Sequence, residues 1–515
     1  MKLTLIRATL TVASLFLFSA ARGGTGGRVT HTFNGDMTLD QAVQLALKQN
    51  PDVLRAFQQI ELTRGQVIEV RSAGLPHVIL NASYNQEAPG LLQGPGESPV
   101  TAAQLTGVSG VTQQMAQQLA STLNAASASA ASTALGDIDK SWIVTVQATQ
   151  VLYAGGAVQA GNKIAKFTDD TSYFGLRNTV DQTIDTVRQQ FYTVLLDRAL
   201  IKVQEEALQL LADELKDQQN RFEAGTVPRF NVLQAEVALE NQRPILIAAR
   251  NAYTISMITL SRTLGLDPGP QGNPTFHAVG ELAVHERPLG LRNAIELGIE
   301  RRPFLKVQRL AILIQKEQIK VALAGYKPQF NANAGYELRN SELTSKLDDT
   351  VNGWFFGVVG QWNIFDGFET YGKVKMARAN LETARITYED SIHQVELEVQ
   401  QAYANLQTAR ETIRSGQKTV EQALEALRLA KERLAAGAGV QLDVLNAQVQ
   451  LTTAESTELQ ARANYNTALA EFDRVTATDT VYAETFDDPL THHGKKKGLP
   501  AVPANPQDNS KKKVK

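Results

Sequence analysis

Two hydrophobic periods take turns along this 515-residue chain. Residues 330–338 alternate strictly, with Phe330, Ala332, Ala334, Tyr336 and Leu338 on one face and Asn331, Asn333, Gly335 and Glu337 on the other. Period 2 predicts a strand, and a polar face opposite a continuous apolar one is the pattern of a lipid-facing barrel strand. The alternation returns from Trp354, with Phe356, Val358, Gly360, Trp362 and Ile364 on the outward side, and it occurs earlier over 77–85 and 142–153. Predicted strands therefore cover about 77–86, 141–153, 328–339 and 353–365. Trp142, Tyr153, Trp354 and Phe365 stand at their ends, where interfacial aromatics belong. A soluble hairpin packed on a core would give the same signal from these stretches alone.

The second period separates the two cases. After each second strand no helix-breaking pair occurs over about 157–223 and again over about 368–435. At 1.5 Å per residue such helices are roughly 100 Å long, far beyond the globular range. Ala, Gln, Glu, Leu, Arg and Val dominate them, as in coiled coils. Each ends in a short break, AGTVPRFN or AGAGVQLD, and returns as a helix over about 231–264 or 443–476. Helices over 51–74 and 303–325 lead into the first strand of each pair, and together with the return helix nearly equal one long helix in length.

These elements form two copies of one unit. Residues 37–85 align without gaps on 289–337 at an offset of 252: Leu39 falls on Leu291, Pro51 on Pro303, Asn81 on Asn333 and Tyr84 on Tyr336. From Trp142, which falls on Trp354, the offset is 212, and it holds where RFEAGTVPRFNVLQAE lies on RLAAGAGVQLDVLNAQ. The first copy therefore carries 40 extra residues between Tyr84 and Trp142, in an interval rich in Ala, Ser, Gln and Gly that reads as an expanded surface loop. The copies occupy 22–264 and 289–478, with 265–288 as linker.

Charge changes the picture at the two ends. The net −2 of the whole chain combines +2 in residues 1–21, +6 in 489–515 and −10 between them. Lys2 and Arg7 precede an apolar stretch at 8–20 and then small residues, the three-part form of a secretory signal peptide over 1–21. That stretch is shorter than the roughly 20 residues a membrane-spanning helix needs. Residues 479–515 read as a disordered basic tail. The absence of cysteine excludes disulfide scaffolds, thiolate metal sites and thiol nucleophiles. The seven histidines show no metal-ligand spacing apart from the adjacent tail pair His492 and His493, and no phosphate-binding loop, nucleophile elbow or dinucleotide fingerprint occurs. The reading is of a protein that is not an enzyme, with no cofactor, no metal and no nucleic-acid partner.

Four strands cannot close a barrel, and an open sheet edge in hydrocarbon leaves backbone groups without partners. Several chains must share one barrel: two would give eight strands and three would give twelve. The polar inward face, with Asn331, Asn333, Gln361 and Asn363, suits a water-filled lumen better than a packed core.

At this point the chain resembles the TolC-type outer-membrane efflux proteins. The resemblance covers essentially the whole mature chain: the duplicated leading helix (LDQAVQLALKQNP; LRNAIELGIERRP), the strand pairs closing on LYAGG and IFDGFE, the two return motifs, and ENQRPILIAARNAYTISMITLSRTLGL. It implies a mixed α/β membrane protein of two tandem repeats, each with two transmembrane β-strands and long coiled-coil helices. Three copies would form a twelve-stranded barrel in the outer membrane, continued by a periplasmic α-helical barrel. It also implies the partners, a periplasmic adaptor protein and an inner-membrane pump, with the chain as passive conduit of efflux or type I secretion. A soluble periplasmic coiled-coil adaptor or structural protein stands as the alternative; it requires no barrel strands.

The resemblance further implies site residues. Asp443 takes the place of an aspartate that rings the periplasmic aperture in this family. The chain departs from the family pattern nearby: Asn446 replaces a second ring aspartate, Gly439 an arginine of the closing network, and Asn231 the matching aspartate of the first copy. These departures predict a weaker acidic ring, with Arg229 as substitute charge partner for Asp443 or as a plain solvated loop residue. The adaptor contacts would be Gly225, Thr226, Val227, Pro228 and Phe230 on one tip and Gly437, Ala438, Gly439, Val440 and Leu442 on the other.

Overall fold

The computed structural model describes residues 33–86, 115, 117–124, 140–267, 273–285, 287, 290–340 and 347–478. The signal segment at 1–21, most of the inserted interval and the tail at 479–515 lie outside the described residues. In chain order the elements are β1 (Gly35–Met37), α1 (Leu39–Gln49), α2 (Pro51–Ser72), β2 (His77–Gln86), β3 (Lys140–Ala154), α3 (Ala157–Glu223) and α4 (Arg229–Thr263). Then follow β4 (Phe276–Ala278), α5 (Leu291–Arg301), α6 (Pro303–Leu323), β5 (Gln329–Asn340), β6 (Thr350–Gln361), α7 (Glu369–Ala435) and α8 (Gln441–Thr476). They divide into two compact units. Among the described residues, one comprises those within 33–55, 179–295 and 398–478; the other comprises those within 56–178 and 296–397. The long helices α3 and α7 are 67 residues each.

The second of these units holds a four-stranded antiparallel sheet in the order β2-β3-β5-β6. Its register follows the repeat. Tyr84 pairs with Trp142 and His77 with Thr149, and the second hairpin reproduces this as Tyr336 with Trp354 and Gln329 with Gln361. One face is apolar across all four strands, since opposite residues project to the same side: Leu80 stands beside Val146, Val146 beside Tyr336, and Tyr336 beside Trp354. Many of these side chains are exposed, Trp354 at 81%. β2 and β6 are the edges, and β2 is exposed along its whole length. The period-2 pattern of 353–365 overreaches here. β6 ends at Gln361, and Trp362, Ile364 and Phe365 lie in the turn that leads to α7. Phe365, 76% exposed, meets Phe368 edge-on with ring centres 5.6 Å apart.

The other unit is coiled-coil-like. In α8 the residues Val444, Leu451, Tyr465 and Phe472 recur every seventh or fourteenth position, interleaved with Ala447, Ala454, Ala461, Ala468 and Val475, and all are buried. That heptad seam, with alanine at nearly every second place, lets a neighbouring helix approach closely. Ala423 and Leu427 of α7 close over Val444, Ala447 and Leu451, while Leu211 and Leu239 of α3 and α4 pack on Leu445. The same unit contains a small parallel sheet of β1 and β4, which places part of the 265–288 linker beside residues 35–37. Arg198 of α3 holds this strap by donating to the carbonyls of Ala278 (2.7 Å) and Gly280 (2.9 Å). Arg287 binds both carboxylate oxygens of Asp473 at the end of α8 (3.1 and 2.8 Å).

Candidate functional site

The two turns that join the long helices to their return helices have one backbone design. After α3, the N–H of Gly225 donates to Phe222 O (2.9 Å) and that of Thr226 to Arg221 O (2.9 Å). After α7, Gly437 donates to Leu434 O (3.1 Å) and Ala438 to Arg433 O (2.9 Å). Both glycines sit at φ +73°, the left-handed cap that satisfies the last helical carbonyls and disfavours a Cβ. The return helices then start at Arg229 and Gln441, with Pro228 and Val440 as extended caps that supply no side-chain acceptor.

Side chains at these turns differ. Phe230 is 69% exposed, and Val440 and Leu442 are also well exposed, so each tip offers apolar surface to solvent. Asp443 occupies the third position of α8; its N–H bonds to Val440 O (3.0 Å) and its carboxylate accepts from Val440 N–H at 3.5 Å. A carboxylate in a first helical turn is favoured by the exposed N–H groups and the helix dipole. Asp443, Asn446 and Arg229 are exposed and Asn231 is half-buried. Among the described residues no ion pair joins Arg229 to Asp443 within one chain. Gly439 has an ordinary φ, yet a Cβ there would come within 3.1 Å of Leu434 N and 3.2 Å of Arg433 C. Glycine at this place goes with close backbone packing of the turn.

Beneath the second tip lies a group that local pattern did not single out. Gln218 of α3 and Gln441 of α8 are 1% and 4% exposed. Gln218 Nε2 donates to Glu214 Oε1 (2.9 Å) and to Gln441 Oε1 (3.0 Å), and Gln441 Nε2 donates to Glu214 Oε1 (2.6 Å). The available signal was a glutamine at the head of the α8 seam, inside the return motif, where an apolar residue would be expected.

Farther along the same unit, Asp185 of α3 accepts from Gln189 (3.0 Å) and pairs with Arg474 of α8 (3.1 Å). Burial nevertheless raises its pKa above the usual carboxylate value; Gln189 and Arg474 lower it by less, and Glu471 adds to the rise. Such a group favours the folded state below its ordinary pKa and loses that advantage as pH rises through the elevated value. No cluster of metal-ligating side chains occurs among the described residues.

The aromatics at the strand ends have their own anchors. Trp142 N–H donates to Asn340 Oδ1 (2.8 Å) and its indole to Leu347 O (3.1 Å), while Tyr153 pairs with Phe330 just after a bulge between Val151 and Tyr153. No described helix is long and apolar enough to cross a membrane.

A family model described as outer membrane efflux protein matches residues 42–266 and 294–478. Nodulation protein T of Rhizobium leguminosarum bv. trifolii is 21% identical over 449 residues, spanning 84% of this chain and 86% of that protein. The probable efflux pump outer membrane protein TtgC of Pseudomonas putida is 22% identical over 424 residues, 82% of this chain and 79% of that one. The Campylobacter jejuni CmeC outer membrane channel has the same fold, with a TM-score of 0.67 at 17% identity over 85% of each chain. The chain belongs to the outer membrane efflux protein family, a family of channel and transport proteins of the outer membrane rather than of enzymes.

Proposed function

We propose that the protein is the outer-membrane channel of a tripartite efflux or type I secretion system, a passive conduit fed by an inner-membrane pump through a periplasmic adaptor. The observation that carries this reading is the open four-stranded sheet with one continuous apolar face and two unpaired edges. In hydrocarbon each unpaired backbone group costs several kcal/mol, so the edges are closed by other copies. Three copies supply twelve strands and a polar lumen lined by residues such as Asn81, Gln147 and Asn333. A soluble coiled-coil adaptor has no use for such a sheet and is not carried further.

Three Asp443 carboxylates would ring the periplasmic aperture, attracting cations and repelling anions. Asn446 and Asn231 leave that ring weaker, and Arg229 pairs with Asp443 of a neighbouring copy. The two tips, Gly225 to Phe230 and Gly437 to Leu442, meet the adaptor through their exposed apolar side chains. The name of the similar TtgC supports efflux as the transport mode.

Detergent-purified protein should have the mass of a trimer by light scattering and form cation-preferring channels in planar bilayers. Release into the soluble fraction after a urea wash, or a stable monomer that conducts nothing, overturns the channel reading. Exchanging the charges of Arg229 and Asp443 should change conductance non-additively; additive effects remove Arg229 from the aperture.

A further inference from the structure

The internal repeat exposes a difference between the two return helices. Arg229 at the head of α4 corresponds to Gln441 at the head of α8. Arg229 is exposed, whereas Gln441 is closed into the triangle with Glu214 and Gln218. The second-copy counterparts of Glu214 and Gln218 are Ala426 and Ala430. No equivalent triangle can therefore form at the head of α4, and among the described residues this anchor belongs to the second tip. Buried polar groups in an apolar helical seam are costly unless they satisfy each other, and their best-attested use is to fix one register against the alternatives.

We propose that Glu214 and Gln218 are positioning residues that hold the first turn of α8 through Gln441 and thereby fix the place of the Asp443 carboxylate. Gln441 and Asp443 share one helical turn, pinned by the bond from Asp443 N–H to Val440 O. Any rotation of Gln441 therefore swings Asp443 with it. The functional consequence rests on reading Asp443 as an aperture residue.

The test uses the full-length protein and four variants: Glu214→Ala with Gln218→Ala, Glu214→Gln, Asp443→Asn, and the alanine pair in the Asp443→Asn background. The alanine pair gives α3 the residues α7 already carries at the corresponding places, which a long helix accepts. In bilayers under a KCl gradient the alanine pair should lower the potassium-to-chloride permeability ratio roughly two- to fivefold, as expected when a point charge moves by a few ångströms. Glu214→Gln, which keeps the acceptor and loses the charge, should stay near the parent protein. In the Asp443→Asn background the alanine pair should change nothing further.

An equal effect of Glu214→Gln, or a full effect of the alanine pair without Asp443, overturns the proposal, because Glu214 would then act by its own charge. Amide hydrogen exchange over 443–446 gives an independent reading. It should rise about tenfold in the alanine pair and not in Glu214→Gln, and unchanged exchange refutes the anchoring. Asp443→Asn with an unaltered permeability ratio would instead remove the aperture reading while the exchange result still decides the positioning claim.

Discussion

The two copies within this chain agree in backbone and part company in side chains. Their hairpins share one register, their long helices have the same length, and their turns close on the same left-handed glycine. At two other left-handed positions the agreement in residue type ends. The first copy places Gly156 before α3 and Gly265 after α4; the second places Phe368 and Ala477 there. Among the described residues these two are the non-glycine residues with positive φ. The difference teaches that hydrogen-bond closure of the helix ends dictates the backbone, and that a strain of about 1–2 kcal/mol per Cβ is tolerated where it does not also create a clash. At Gly265 it would, because a Cβ would lie 2.4 Å from Gln49 O and 2.8 Å from Gln49 C.

The comparison can be broken most severely at that glycine. Gly265→Ala should lose about 3 kcal/mol or more, since the obstacle is backbone rather than a flexible side chain. Helical circular dichroism during denaturant unfolding measures this, and a loss under about 1 kcal/mol would mean that the end of α1 simply moves aside.

A smaller loss is expected from making the second copy resemble the first at Asp473, whose counterpart is Ser261. Asp473→Ser removes both bonds from Arg287 and leaves that arginine, 49% exposed, to solvent. The expected cost is about 2 kcal/mol, below that of a fully buried pair. The same unfolding measurement checks it, and an unchanged midpoint would show that the Arg287–Asp473 pair adds nothing to what Arg198, Tyr465 and the β1–β4 pairing already hold.

The smallest effect has the opposite sign. Ala477→Gly should stabilise by about 0.5 kcal/mol, the relief of left-handed strain less the greater freedom of glycine in the unfolded chain. A destabilised variant would show that residue 477 is held by contacts its backbone angle does not reveal.

Much of the architecture was legible because long helices and paired strands carry their periods over many residues. The span 157–223 could be read in full from uninterrupted helix formers, and the strand pairs from alternation in two places at once. The end of β6 was misplaced because Trp362, Ile364 and Phe365 continue the alternation after the backbone has turned away. The β1–β4 pair was invisible, since three-residue strands carry no period and their partners lie some 240 positions apart. At the tips the motif residues and their glycines stood out, whereas Glu214 and Gln218 did not. Their meaning lies in Gln441, more than 220 positions away, and a polar residue on a long helix reads as solvated surface until its neighbour is known.

The matching registers of the two hairpins also bear on how such a chain can change. Between Tyr84 and Trp142 the first copy inserts 57 residues, and between Tyr336 and Trp354 the second inserts 17, yet the paired strands are indifferent to this. Lengthening a loop by that ratio costs only about 1 kcal/mol of closure entropy. Both connections leave the sheet at the same end, so one rim of the molecule can gain or lose sequence at little thermodynamic penalty while strand pairing stays unaltered. A peptide inserted in either connection should therefore leave the register of the strand pairs unaltered.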